Sequence, residues 1–420
     1  MNRFLIIVVI ICFHAAISTS KERVEYLPGF QGPLPFHLET GYVGVDENED
    51  VQLFYYFIQS ESNPKDDPLM LWLTGGPGCS SISGLLYEFG PIQFKAEHLN
   101  GSLPTLVLRP QSWTKMTSVI FLDIPVGTGF SYARTERASH STDLQYAKHG
   151  YEFIIKWLNS HPEFISNPFY VGGNSFSGHP VPIISQLISN GNEGDTKPYI
   201  NLKGYVLGNA LAFPTEKNFQ KQFANGMGLI PDELYKSIDG ITMAHILDPN
   251  CSAFSFSIKL PSQRFKEQQS LSGFYCRDEL DRVTEYWAND DNVREALHIR
   301  KGSKGDWVIC NADNFTRTLD DVRAYHLNLS KKGYRSLIFS GDHDMIVPHQ
   351  STQLWIKELN YSVTDPWRSW KFRGQIAGYT ESYSNMMTFA TVKGGGHAAP
   401  ESNPDECFAM FKRWISHQPL

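Results

Sequence analysis

The sequence has few cysteines, no long block of like charge and only one long apolar run. Its 6 cysteines and 14 histidines are scattered over 420 residues and lack the short paired spacing of a zinc site. No phosphate-binding or dinucleotide fingerprint is present. The formal net charge of −7 gives no basic surface for nucleic acid or for an acidic membrane. We therefore expect no metal, no cofactor and no nucleic-acid partner.

The one long apolar run lies near the N-terminus and is too short to cross a bilayer. It covers residues 4–13, follows Arg3 and precedes small and polar residues up to Ser20. This order of basic, apolar and small regions is typical of a cleaved signal peptide. We predict a signal peptide over residues 1–20 and a mature domain over residues 21–420. After cleavage of the signal peptide, we expect the mature domain not to be bound to a membrane and to reside in a vacuole or outside the cell. A buried strand or helix is the alternative interpretation, which the flanking residues disfavour.

Glycosylation sequons and cysteines are consistent with a protein of the secretory pathway. Five Asn-x-Ser/Thr sequons could accept glycans there: Asn100, Asn250, Asn314, Asn328 and Asn360. Loss of Cys12 with the signal peptide leaves an odd number of cysteines where disulfides are expected: Cys79, Cys251, Cys276, Cys310 and Cys407. At least one thiol is therefore unpaired or pairs between chains, and the spacing alone does not give the connectivity.

From about residue 40 to 210, apolar strands alternate with amphipathic helices, which predicts an α/β fold in one large domain. Strands are predicted at 51–58, 69–73, 119–123, 169–172 and 204–207. A helix is predicted between two of them from an apolar face that recurs every three to four residues: Leu144, Ala147, Tyr151, Ile154 and Leu158.

The alternation fails from about 212 to 300, where the chain is polar, and this predicts a cap inserted into the core. The core then resumes with a strand at 335–340, a helix at 351–359 and a strand at 387–392. A closing helix is predicted with Cys407, Phe411 and Trp414 facing inward.

Ser175 lies in a segment that runs from the predicted strand at 169–172 through small residues into a predicted helix. Such a strand, turn and helix are the setting of a nucleophile elbow. The residues two positions to either side of the nucleophile must be small, and Gly173 and Ser177 are. The match to G-x-S-x-G is imperfect, because Ser177 replaces the second glycine and Gly178 follows it. An ordinary turn is the alternative interpretation.

A serine nucleophile needs a base, and the base needs an acid to orient it. Asp344 and His397 each follow a predicted strand, so both are expected at the edge where open α/β sheets place their active sites. Singly, each could be a solvated turn residue. The chain order Ser, Asp, His is that of the α/β hydrolases, so we predict that fold, with a mostly parallel central sheet and the triad Ser175, Asp344 and His397.

Acyl transfer also needs donors for the developing oxyanion. The segment T-G-G-P-G-C-S-S at 74–81 directly follows the strand at 69–73, and its glycines allow backbone N–H groups to approach a substrate. We assign the Gly76 and Phe176 N–H groups to the oxyanion hole. An ordinary Gly-Pro turn would be the better interpretation if the elbow were absent.

Five ordered motifs resemble the serine carboxypeptidase-like family, and the resemblance covers nearly the whole mature chain. The motifs are W-L-T-G-G-P-G-C-S-S at 72–81, F-L-D-I-P-V-G-T-G-F-S-Y at 121–132, G-N-S-F-S-G at 173–178, S-G-D-H-D at 340–344 and G-H-A-A-P at 396–400. Carboxypeptidases of this family typically have Asn before G-G-P-G and Glu before the serine, which together bind the free carboxylate of the substrate. This chain has Thr74 and Asn174 there.

The plant acyltransferase branch of the family resembles this chain more closely, in Thr74, in P-V-G-T-G-F-S-Y and in Ser177. That branch moves acyl groups from 1-O-glucose esters to alcohol or sugar acceptors. The resemblance therefore implies an acyltransferase with a small-molecule donor and acceptor, in which Thr74, Gly75 and Asn174 contact the substrate. The branch usually has Asp where Asn174 stands, which leaves donor binding open.

The resemblance also implies the pairing Cys79 with Cys310 and Cys251 with Cys276, leaving Cys407 free and buried. Relatives usually carry a further cysteine pair in the cap, so the cap is expected to be shortened. Some relatives are cut within the cap, and the polar stretch 262–268 could be cut here to give a disulfide-linked two-chain form; otherwise a monomer is expected.

Three functions compete: acyltransferase, serine carboxypeptidase acting on peptide C-termini, and a catalytically silent binding protein. The complete triad argues against the last. The carboxylate-binding positions, Thr74 and Asn174, favour the first over the second.

Overall fold

A computed structural model describes residues 20–95, 101–213, 216–241, 246–247 and 277–420. The strands β1 to β16 are Ser20–Val24, Leu38–Val45, Val51–Ile58, Leu69–Leu73, Ile92–Phe94, Leu106–Leu108, Ser118–Leu122, Tyr132–Ala133, Ser141–Thr142, Phe169–Asn174, Leu202–Gly208, Phe315–Thr316, Arg335–Gly341, Val363–Phe372, Gln375–Tyr383 and Met387–Val392. The helices α1 to α10 are Asp143–Ser160, Pro180–Glu193, Glu216–Gly226, Asp232–Ser237, Arg277–Ala288, Asp291–Ala296, Arg323–Lys331, His349–Glu358, Ala399–Ser402 and Pro404–Ile415.

Most strands join one large sheet in the order β1-β2-β3-β7-β4-β10-β11-β13-β16-β15-β14. The six strands from β7 to β16 pair in parallel, and the strands outside them pair antiparallel. Parallel pairing brings the carboxyl ends of β10, β13 and β16 to the same edge. The predicted α/β fold with a mostly parallel central sheet is confirmed.

Alternate side chains of the central strands enter two different cores. On β4, Met70 and Trp72 lie in the first core, whereas Leu69, Leu71 and Leu73 lie in the second. Residues of α9 and α10 close the first core, and residues of α1, α2, α7 and α8 close the second. Because helices cover both faces of the sheet, the side chains on both sides of these strands are buried, and the strands are continuous apolar runs in the sequence.

The predicted strands are present close to their predicted bounds, and so is the closing helix. Cys407, Phe411 and Trp414 on α10 are buried, and the Phe411 ring stacks on Trp113 with 4.0 Å between ring centroids. The predicted face of α1 is wrong at Leu144, which is 54% exposed because the apolar stripe begins only at Tyr146. The hairpin β14–β15 was not predicted, since polar residues interrupt the apolar ones in both strands.

The C-terminal part of the predicted cap, about 212–300, packs with the core of the domain. Helices α5 and α6 fall inside that range, but Val283, Trp287 and Val293 are buried in the first core. These two helices therefore pack on the same core as β4 and α10, and the cap boundary itself stays a prediction. Helix α3 contributes Phe223 to a small separate cluster that also contains Met345. Most of the remaining cap, including the predicted cleavage stretch, lies outside the described residues.

Among the described residues, no helix is long and apolar enough to cross a membrane. In that same part of the chain, no group of three or more His, Cys, Asp or Glu side chains is placed to hold a metal ion. The predicted signal peptide falls almost wholly on residues that are not described, and it stays a prediction.

Candidate active site

Ser175 lies at a sharp turn between β10 and a short 3-10 helix, Ser175–Gly178, that leads into α2. Its φ of 53° is in the left-handed region that residues other than glycine rarely adopt. A Cβ atom on Gly173 would lie 2.6 Å from the Ser177 Cβ and 2.6 Å from the Leu73 carbonyl oxygen, so this position must be glycine. The turn has the geometry expected of a nucleophile elbow.

His397 bridges Ser175 and Asp344. Its Nε2 lies 2.9 Å from the Ser175 Oγ, and its Nδ1 lies 2.8 Å from the Asp344 Oδ2. An ionised carboxylate only accepts hydrogen bonds, so Nδ1 carries the proton and Nε2 is free to accept the serine proton. The structure thus brings together the three residues that the sequence order predicted, on loops that follow β10, β13 and β16.

Asn209 is a fourth residue of this network, and sequence reasoning missed it. It directly follows β11, and its Nδ2 donates to the Asp344 Oδ2 at 2.7 Å, while the Ile346 N–H donates to the other oxygen at 2.8 Å. Both oxygens of this buried carboxylate are therefore satisfied, and the carboxyl group is fixed toward His397. The available signal was a polar residue directly after an apolar parallel strand.

The glycine loop after β4 lies against the elbow. A Cβ atom on Gly75 would lie 2.6 Å from the Ser175 Cβ and 2.9 Å from the Phe176 N, so only glycine lets the loop approach this closely. Phe176 is the second residue of its 3-10 helix, where an N–H has no partner within the helix. Gly76 is on the exposed side of the loop. The two assigned oxyanion donors thus come from segments that are in contact beside Ser175.

Asn174 faces into the protein. Its Nδ2 donates to the Glu88 Oε1 at 2.8 Å, and its Oδ1 accepts the Gly75 N–H at 3.1 Å. Thr74 is buried, and its Oγ1 accepts the Ser83 hydroxyl at 3.3 Å. The two side chains that replace the carboxylate-binding pair are therefore engaged with other groups of the protein.

Glu88 is a buried carboxyl that the sequence analysis did not single out, although it is the one acidic residue in the apolar stretch 84–90. Burial raises its pKa to about 8; nearby Glu401 also raises it, whereas Arg277, Asn174 and Arg109 lower it. Glu88 is accordingly protonated and neutral at acidic and neutral pH. A neutral group therefore supports the residue before Ser175 under those conditions.

The predicted disulfide between Cys79 and Cys310 is confirmed, and Cys407 is a free, buried cysteine as predicted. The disulfide joins the glycine loop to the segment before β12. The predicted Cys251–Cys276 pair lies outside the described residues. Of the five sequons, Asn100 and Asn250 also lie outside them, while the other three are exposed on the surface: Asn314, Asn328 and Asn360.

The fold and this arrangement define a serine hydrolase of the α/β-hydrolase fold. A family model described as serine carboxypeptidase matches residues 28–244 and 236–417. The chain belongs to the serine carboxypeptidase family.

Relatives agree with this assignment, and a solved structure agrees with the fold. The chain is 52% identical over 415 residues to serine carboxypeptidase-like 2 of Arabidopsis thaliana, covering 96% of this chain and 94% of that protein. It is 50% identical over 417 residues to serine carboxypeptidase-like 11 of the same plant, covering 96% and 95%. Kex1(delta)p, a prohormone-processing carboxypeptidase from Saccharomyces cerevisiae, has the same fold, with a TM-score of 0.73, 21% identity and coverage of 94% and 95%.

Proposed function

We propose that this protein is an acyltransferase that moves an acyl group from a 1-O-acyl glucose ester to an alcohol or sugar acceptor. Ser175 is the nucleophile, His397 the general base and acid, and Asp344 the residue that orients the imidazole. The observation that carries the proposal is the inward-facing Asn174, whose amide binds Glu88 and the Gly75 N–H.

In the proposed first step, His397 Nε2 takes the Ser175 proton while Oγ attacks the ester carbonyl carbon. The Gly76 and Phe176 N–H groups donate to the oxyanion that forms. The intermediate collapses by breaking the bond to the glucose oxygen, which receives the proton from His397. Glucose leaves, and the acyl group remains as an ester on Ser175.

In the proposed second step, the acceptor takes the place of glucose. His397 removes a proton from its hydroxyl, and the oxygen attacks the acyl-serine carbonyl. The second intermediate releases the product ester, and Ser175 recovers its proton from His397. Water in place of the acceptor would give the free acid, so the ratio of ester to acid reports which nucleophile the site admits.

Asn174 and Thr74 separate this proposal from the carboxypeptidase alternative. An exopeptidase must bind a free carboxylate, and it needs donors aimed into the site for that purpose. Here the Asn174 NH₂ group donates to Glu88, the Gly75 N–H donates to Asn174, and Thr74 is buried against Ser83. A glucose ester carries no such carboxylate, so an acyl donor of this class needs no clamp at these positions.

The test is a parallel assay of the purified protein from acidic to neutral pH. One set of reactions offers 1-O-acyl glucoses with mixed alcohol and sugar acceptors, and the other offers a blocked dipeptide. We expect ester to form faster than free acid, with no release of a C-terminal amino acid. Release of the amino acid without acyl transfer would overturn the proposal in favour of a carboxypeptidase.

Two variants control this assay. Ser175→Ala should abolish both transfer and labelling by a fluorophosphonate; persistent labelling would identify another serine as the nucleophile. The double variant Thr74→Asn with Asn174→Glu restores the residue pair expected of the peptidases. If the carboxylate clamp decides the reaction, this double variant should gain peptidase activity and lose acyl transfer.

We also propose that the protein matures in the secretory pathway and resides in a vacuole or outside the cell. The Cys79–Cys310 disulfide supports this, because disulfides form and persist in oxidising compartments. Exposure of Asn314, Asn328 and Asn360 is compatible with glycans at these sequons. Glycosidase treatment of protein from the native cell should lower its apparent mass; an unchanged mass together with an uncleaved N-terminus would contradict this localisation.

A further inference from the structure

The ring of Phe176, the residue after the nucleophile, packs against two other rings. The His179 ring lies parallel to it, with 5.4 Å between centroids and 6° between planes. The Phe315 ring meets it edge-on at 5.5 Å and 85°. Because Phe176 also carries the N–H assigned to the oxyanion, the packing of its side chain controls where that N–H lies.

Arg317 fixes the state of His179. The His179 ring is fully buried, and the Arg317 Nη2 lies 3.3 Å from its Nε2. A guanidinium only donates hydrogen bonds, so Nε2 accepts and the ring is the neutral tautomer protonated at Nδ1. Burial, together with the nearby Arg317 charge, lowers the pKa of His179 to about 4, which is consistent with a neutral ring. His179 is therefore neutral near neutral pH.

Phe315 and Arg317 belong to one segment, residues 310–319, which we call the strap. At its first end, Cys310 is bonded to Cys79, and the Asn311 N–H donates to the Gly78 carbonyl oxygen at 2.8 Å. A Cβ atom on Gly78 would lie 2.1 Å from the Asn311 carbonyl oxygen, so the strap is pressed against the glycine loop.

The other end of the strap is bound to the start of α1. The Asp143 Oδ2 accepts the Leu319 N–H at 3.0 Å and also accepts from Thr318. The strap is therefore fixed at both ends. Between those ends it contacts the Phe176 and His179 rings, so a single segment contacts both sources of oxyanion donors.

We propose that His179 and Arg317 are positioning residues that hold the Phe176 N–H in the oxyanion hole, while the strap sets its distance from the Gly76 N–H. The inference rests on the proposed role of Ser175 as nucleophile and of these N–H groups as its oxyanion donors. It does not depend on the identity of the acyl donor or acceptor.

The test compares Arg317→Gln and His179→Phe with the wild-type protein. Arg317 is partly exposed, so its replacement leaves no buried charge, and phenylalanine keeps the parallel ring while removing the acceptor. Turnover is measured with p-nitrophenyl acetate. Binding is measured with a trifluoromethyl ketone, whose adduct with Ser175 carries an oxyanion. Displacing a catalytic donor group by about 1 Å can lower the rate about 100-fold. For these variants we expect kcat and ketone affinity each to fall about tenfold, with KM changed less than about twofold.

Arg137→Gln is the matched control, because Arg137 is 77% exposed and pairs on the surface with Asp50. It should leave kcat, KM and ketone affinity unchanged. The double variant of His179 and Arg317 should be no worse than the more damaging single variant, since the pair acts as one unit. Melting temperatures and active-site titration show whether a variant has lost folded protein.

Two results are decisive and distinct. If Arg317→Gln and His179→Phe bind the ketone as tightly as wild type, while Ser175→Ala does not bind it, the positioning role is overturned. If Ser175→Ala binds the ketone like wild type, the proposed function itself fails, and the inference fails with it.

Discussion

The Asn174 side chain donates a hydrogen bond of 2.8 Å to Glu88, a fully buried carboxyl whose pKa is raised to about 8. The residue before the nucleophile is therefore held by a group that is uncharged at acidic and neutral pH. The contact therefore couples the residue before Ser175 to the ionisation of a carboxyl group in the protein interior.

Glu88→Gln should change how stability depends on pH. The pKa of Glu88 rises from an ordinary 4.5 to about 8 on folding, chiefly through burial, so the native state binds more protons than the unfolded state between these values. The stabilisation from this group is fully present below pH about 4.5 and is lost as pH rises toward about 8. Glutamine stays neutral, so the melting temperature of the variant should rise relative to wild type across this window. A constant difference would contradict the assigned ionisation.

Asn209→Gly should lower kcat about tenfold, because Asp344 loses the donor that fixes its carboxylate toward His397. Glycine is the suitable replacement because Asn209 has a φ of 45°. Asn209→Asp is the matched variant and adds a like charge beside Asp344. In the pH profile of kcat/KM for Asn209→Asp, the acidic limb should move to higher pH, because two adjacent carboxyl groups resist being ionised together. An unchanged pH profile in both variants would show that Asn209 does not orient the triad.

Gly178→Ala should damage the elbow more than Ser177→Gly does. A Cβ atom on Gly178 would lie 2.2 Å from the Leu211 carbonyl oxygen, so the backbone must shift, at a cost of about 1–3 kcal/mol. Ser177→Gly restores the usual motif and should cost only about 0.5–1 kcal/mol through backbone entropy, with kcat retained. Thermal unfolding and ester hydrolysis check both. The opposite ranking would show that the elbow tolerates bulk after the nucleophile.

Removing the Cys79–Cys310 disulfide by replacing both residues with alanine should destabilise the protein by about 2–5 kcal/mol, because the bond closes a long loop in the unfolded chain. Cys407→Ala is the control, since it removes a buried thiol and leaves the disulfide intact. Denaturant unfolding measures both. Equal stabilities of the double variant and wild type would mean that the loop and the strap hold together without the covalent bond.

Several parts of the fold and site followed from local patterns. The apolar runs at β3, β4 and β16 and the small residues around Ser175 predicted the central strands and the elbow, because side-chain periodicity and turn sterics act over a few residues. The hairpin β14–β15 at the edge of the sheet escaped prediction, since polar residues interrupt the apolar ones in both strands. The packing of α5 also escaped prediction, because this helix is polar in composition yet buries Val283 and Trp287.

The sequence by itself determined the order of the central strands, the Ser, Asp, His order and the glycine loop after β4. Only the tertiary structure decided what each polar group faces: Asn174 meets Glu88, Asn209 meets Asp344, and Arg317 meets His179. These partners are 86, 135 and 138 residues apart in the chain. Hydrogen bonds depend on donor and acceptor positions to within a few tenths of an ångström, and such positions arise only when distant segments pack together.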